Sequence, residues 1–124
     1  MTVGEKIYTF SDPNTPPLKL YYFDIIGKGE GIRRALYHSK LNFIDVRLDR
    51  ATFRSMKTSG ELAFGQLPAL RTSDGKDLLV QSAAIFRFVG KQGGLYPEDI
   101  VEAAKVDAVL DQAAGESNLY EIDY

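Results

Sequence analysis

Apolar and polar positions change period several times along the chain, and each change marks an element. LKLYYFDI (18–25) is dominated by aliphatic and aromatic residues and reads as a buried strand. GKGEG (27–31) breaks it, and Ile32, Ala35, Leu36 and Ser39 then recur at helical spacing, predicting a helix over about 29–40 that Asn42 ends. FIDVRL (43–48) alternates apolar and polar, as a strand with one exposed face does. ATFRSMKTSGELAFG is polar and mixed, and predicts no more than one or two irregular helical turns and a loop. PALRT (68–72) and DLLVQ (77–81) flank SDGK, which predicts a hairpin turning at Asp74-Gly75. SAAIFRFVGKQ places apolar residues at 85, 86, 88 and 89, with Gly90 and Gly93-Gly94 as closing signals. After LYPED, acids at the start of a helix favour the positive end of its dipole. That helix, about 98–114, buries Val101, Ala104, Val106, Ala108, Val109, Leu110 and Ala113 only in part and keeps a second apolar edge.

The order is β-α-β, a linker with a helix, β-β-α and a last helix. A strand-helix-strand unit within one sheet runs parallel, and the hairpin adds an antiparallel pair. The expected fold class is α/β, a mixed four-stranded sheet with helices on both faces, followed by one long helix. Residues 1–17 read as an N-terminal extension, because Asp12-Pro13-Asn14 and Pro16-Pro17 favour turns and extended chain. KIYTF could pair as a strand, but nothing in the pattern fixes it there. The remainder divides into 18–94, a compact domain, and 95–124, the start of a helical second one.

Composition narrows the function. With 124 residues and 44% hydrophobic positions, the chain can build a core. Fifteen basic against seventeen acidic residues give a net charge of −2, so no nucleic-acid partner is expected. No apolar run reaches the roughly 20 residues of a membrane helix, and no secretory leader is visible. Absence of cysteine fits a reducing, cytoplasmic setting and removes thiol chemistry of the protein's own. A single histidine, His38, cannot build a multi-histidine metal site, so no metal is expected.

Several residues could carry chemistry. Tyr22 lies near the carboxyl end of its strand, where open α/β sheets gather ligands, and its hydroxyl could donate to a developing anion. Packing into the core accounts for it equally, since Tyr21 and Tyr22 face opposite ways. Ser82 is a natural helix cap, and with Gln81 it stands at a helix N-terminus that attracts carboxylates. Pro68 at a strand start fits an edge position, or a cis Leu67-Pro68 bond. GKGEG lacks the Gly-Lys-Ser/Thr ending of a phosphate loop and the Rossmann spacing, and reads as a tight strand-to-helix turn.

Taken in order and spacing, KLYYFDIIGKGEGIRRAL, FGQLPAL, LVQSAAIFRFV and LYPED resemble the N-terminal, thioredoxin-like domain of cytosolic glutathione transferases, over about residues 18–115. The resemblance is nearest to the tyrosine-using, sigma-like classes. It implies a thioredoxin-like βαβ-α-ββα fold, with glutathione as co-substrate and a small electrophile as second substrate. Tyr22 is implied as the donor that favours the glutathione thiolate. The backbone of Leu67, before Pro68, is implied to pair with the cysteinyl unit, and Gln81 and Ser82 to hold the γ-glutamyl end. Phe53 and Lys57 fall near the glycyl end, with Gln66 beside them, and Lys28 faces the ligand.

Departures from the family pattern accompany these matches. Phe53 stands in place of tryptophan and Lys28 in place of arginine, which loses a bidentate fork. The chain is about two residues longer between Lys57 and Phe64. Ala114-Gly115 fall where the family carries an acid, with Asp107 and Asp111 nearby. The sequence contains the first helix of the family's helical second domain, whose two apolar edges predict self-association, as a homodimer or otherwise. Two functions follow: a transferase, or a glutathione-binding or dimerisation module of the same fold without turnover.

Overall fold

In a computed structural model covering residues 2–122, and the side chains of 3–113, five strands and four helices form. They are β1 (Thr2–Tyr8), β2 (Leu18–Phe23), α1 (Gly27–His38), β3 (Phe43–Leu48), α2 (Arg50–Ser59), β4 (Ala69–Arg71), β5 (Leu78–Val80), α3 (Ser82–Gln92) and α4 (Ile100–Ile122). The sheet order is β1-β3-β2-β4-β5. β2 and β3 are parallel across α1, with Leu18 opposite Phe43, while β4 pairs antiparallel with both β2 and β5.

Alternation along β2 decides what each face buries. Leu18 and Leu20 point toward α1 and α3 and join Ile32, Leu36, Phe43, Leu70, Ile85 and Val89 in the main core. Burying each such side chain is worth about 1.5–3 kcal/mol. On the opposite face, Phe23 meets the ring of Phe53 from α2 edge-on, with centroids 5.2 Å apart. This is the expected thioredoxin-like arrangement with one strand more.

That extra strand corrects the four-stranded expectation and the reading of residues 1–17 as a bare extension. β1 lies antiparallel on β3, so β3 is no longer an edge. Tyr8 stacks on Phe43 at 4.6 Å, and Phe10 meets Tyr37 edge-on at 5.0 Å. Asn42, expected only to end a helix, fastens the following turn. Its Oδ1 accepts from the amides of Phe10 (2.8 Å) and Ser11 (3.2 Å), and its Nδ2 donates to the carbonyl of Asp12 at 2.9 Å. α1 itself stops at His38, where Lys40 takes a left-handed conformation (φ 54°).

The segment expected to be irregular is instead a ten-residue helix, α2. Asp49 caps it by accepting from the Thr52 amide at 2.8 Å, and Gly60 ends it at φ 83°. α3 also departs from expectation at its start. Gln81, at φ 76°, holds the cap position without a side-chain cap bond, and Ser82 is the first helical residue. His38 is exposed, and no cluster of metal-binding residues occurs among the described residues. No helix among them is long and apolar enough to cross a membrane.

Candidate functional site at the carboxyl end of β2

Tyr22 is buried at 7% exposure on the α1 face of β2. Its phenolic oxygen accepts a hydrogen bond from the backbone amide of Lys28 at 3.0 Å. The glycines of GKGEG make this seat possible. A Cβ at Gly27 would overlap the Tyr22 hydroxyl and one at Gly29 its ring, and Gly27 also sits at φ 37°. Gly31 gives the same close approach to Phe86 of α3, so Tyr22, the first turn of α1 and α3 form one continuous layer.

Arg33 occupies the centre of that end of the fold. It is 7% exposed, and its guanidinium lies 5.6 Å from the centre of the Tyr22 ring. Nε donates to Asp45 at 3.1 Å, Nη1 to the Ile25 carbonyl at 2.8 Å and to Glu30 at 3.2 Å, and Nη2 to the Phe23 carbonyl at 2.9 Å. Asp45 also receives Arg47, whose other end holds Asp24 at 2.8 Å.

Two cavities flank the turn. A smaller one, about 180 Å³, is lined by Gly27, Lys28, Gly31, Ser82, Ala83 and Phe86, with Leu110 and Ala113 from α4. It brings Lys28 and Ser82 together, and the exposed Gln81 precedes Ser82 at the head of α3. A larger one, about 510 Å³, is lined by Phe23, Ile25, Arg50, Phe53, Arg54 and Lys57. It collects Phe53 and Lys57 apart from Lys28 and Ser82. The stem of Lys57 lies against Gly65, which precedes the exposed Gln66 in the chain. The Leu67-Pro68 bond is cis; Pro68 is buried, and the half-buried Leu67 stands just outside the ladder, which begins with Ala69 opposite Tyr21 and Val80.

Arg33, Arg50 and Arg54 were not legible as site residues. Arg33 reads as one more polar position on a helix. Arg50 and Arg54 share a face with Phe53 and Lys57 only once α2 is recognised as regular, which the Asp49 and Gly60 end signals could have shown.

A second charge cluster joins α3 to α4. Arg87 donates to Asp107 at 2.8 Å and to Asp111 at 2.6 Å, and the Tyr96 hydroxyl donates to Asp107 at 2.5 Å. The Tyr96 bond, then Arg87, holds the Asp107 carboxyl below the usual carboxylate range. The same bond pushes the Tyr96 phenol upward. Ala114-Gly115 lie outside the residues whose side chains are described.

A parallel β-α-β unit with a hairpin and closing helix, and a tyrosine seated on its first turn, defines a thioredoxin-like domain. Residues 18–91 match the family model for the glutathione S-transferase N-terminal domain, and the chain belongs to that family. It is 44% identical over 97 residues to glutathione S-transferase 1 of Ascaris suum, covering 78% of this chain and 45% of that protein. The crystal structure of the glutathione S-transferase from Ascaris lumbricoides superposes with a TM-score of 0.70 at 44% identity, over 78% of this chain and 45% of that one. A monomeric glutathione S-transferase from the hookworm Necator americanus superposes at 0.73 with 39% identity, over 82% and 48%. The chain therefore spans about half the length of the relatives it matches.

Proposed function

We propose that this chain binds glutathione across the carboxyl end of β2 and holds its sulfur as a thiolate at Tyr22, for attack on a small electrophile. The observation that carries the reading is the Lys28 amide on the Tyr22 oxygen. A phenol that accepts there keeps its own O–H for a second partner, and a sulfur anion is the partner that gains most. In this reading Leu67 pairs its backbone with the cysteinyl unit, Gln81 and Ser82 hold the γ-glutamyl end, and Lys57 and Gln66 serve the glycyl end beside Phe53. Lys28 lines the cavity that Ser82 shares. In this reading the chain belongs with the tyrosine-type, sigma-like members.

Glutathione conjugation to chlorodinitrobenzene tests the activity, and the thiolate absorbance of the glutathione complex tests its basis. Turnover above the solution rate, with thiolate present below the ordinary thiol pKa of about 8.5, is expected. Tight glutathione binding with no turnover would leave a binding module instead. Self-association also belongs to the proposal: Ile100, Val101 and Val109 on α4 are 83%, 59% and 70% exposed, and pairing with another chain would cover them. Sedimentation that shows only monomer at tens of micromolar would remove that part.

A further inference from the structure

We propose that Arg33 is the positioning residue of this site: it fixes the turn after β2 so that the Lys28 amide reaches the Tyr22 oxygen. The inference rests on the proposed role of Tyr22 for its catalytic consequence, but not for its geometry. Between the end of β2 and the first α1 bond, Glu30 amide to Ile26 carbonyl, the turn makes no backbone–backbone hydrogen bond of its own among the described residues. Arg33 supplies the closure. Its two Nη groups take the carbonyls of Phe23 (2.9 Å) and Ile25 (2.8 Å), which flank Asp24.

The fork is itself aimed. Asp45 on β3 holds Nε at 3.1 Å, and Glu30, one turn earlier on α1, holds Nη1 at 3.2 Å. The third anchor of the turn, Asp24, is tied back through Arg47 to the same Asp45. The guanidinium also lies against the Tyr22 ring at 5.6 Å, a favourable placement of a cation on a π face. One planar cation thus touches the tyrosine and both carbonyls of the turn that ends at Gly27-Lys28. An ammonium cannot do this, because it lacks the planar fork. The charged and titratable groups around this arrangement are Asp24 in the turn, Glu30, Arg34, Tyr37 and His38 from α1, and Asp45 and Arg47 from β3.

Arg33→Lys keeps the charge beside Asp45 and removes the fork. Two readouts separate positioning from plain stability. The first is hydrogen exchange of the Lys28 amide, compared with that of Leu20 in the core. About tenfold faster exchange at Lys28 relative to Leu20 is expected, whereas general destabilisation would speed both together. The second is the pH midpoint of the thiolate in the glutathione complex, expected to rise by about one unit with little change in glutathione affinity. Equal effects on Lys28 and Leu20, or an unmoved Lys28, would overturn the assignment. If wild-type protein forms no thiolate, the proposed function falls, and Lys28 exchange still decides Arg33. Should Arg33→Lys not fold, Asp45→Asn leaves an acceptor for Nε while removing its charge. A smaller change in the Lys28-to-Leu20 ratio, in the same direction, is then expected, and no change overturns the proposal.

Discussion

The Lys28 amide donates to the Tyr22 phenolic oxygen at 3.0 Å, which makes the first turn of α1 part of the tyrosine's chemistry. Removing the hydroxyl leaves that amide facing a ring edge and takes away the donor proposed for the sulfur. Tyr22→Phe is expected to lower turnover about a hundredfold, the usual loss for one donor to a developing anion. Glutathione affinity should fall far less. Steady-state kinetics beside a binding titration checks this, and unchanged turnover would remove Tyr22 from its role.

Gly29 offers a test in which two rules oppose each other. Alanine in a helix is favoured over glycine by about 1 kcal/mol. Here its Cβ would overlap the Tyr22 ring. Overpacking of that kind costs about 1–3 kcal/mol, so Gly29→Ala is expected to destabilise rather than stabilise. A denaturant midpoint higher than that of the wild type would show that the ring yields easily.

Asn42 holds residues 10–12 through both its oxygen and its nitrogen. Replacing it with alanine strands the Phe10 and Ser11 amides. A loss of about 1–3 kcal/mol is expected from urea titration. Hydrogen exchange should quicken most at Phe10 and Ser11, and a uniform change across the sheet would contradict the clamp.

The α3–α4 junction should depend on pH in a stated direction. Asp107 has a lowered pKa when folded, so its contribution is present above the unfolded value, near 4, and fades as pH falls through the lowered one. Tyr96 has a raised pKa, so its contribution is present below about 10 and fades above it. Thermal melts of wild type and Asp107→Asn should therefore differ by a constant amount between about pH 5 and 9. The curves should converge in stronger acid; a gap that widens there would refute the sign.

Where the sequence pattern was strong, the fold followed it. LKLYYFDI, FIDVRL and the Asp74-Gly75 hairpin needed only period and turn chemistry, and they appear as β2, β3 and β4–β5. β1 escaped because its pairing with β3 rests on contacts more than thirty residues apart, such as Tyr8 with Phe43, which no local pattern carries. α2 escaped for a different reason: its polar surface hides the period, and only the end residues Asp49 and Gly60 declare it. In the candidate site, Tyr22, Lys28 and Ser82 were legible through their motifs. Arg33 was not, since a buried arginine and a solvated one look alike until the carbonyls it serves are located.

Strand β1 also changes which part of the sheet is open to other chains. The outer rim next to β3 is now Thr2–Tyr8, with Glu5 and Lys6 at its middle. Opposite charges in mid-rim disfavour the flat, apolar edge that recruits further strands into fibrils. The segment that fastens itself to the domain thereby sets a charged pair, between the exposed Val3 and Ile7, where the sheet is open to other chains.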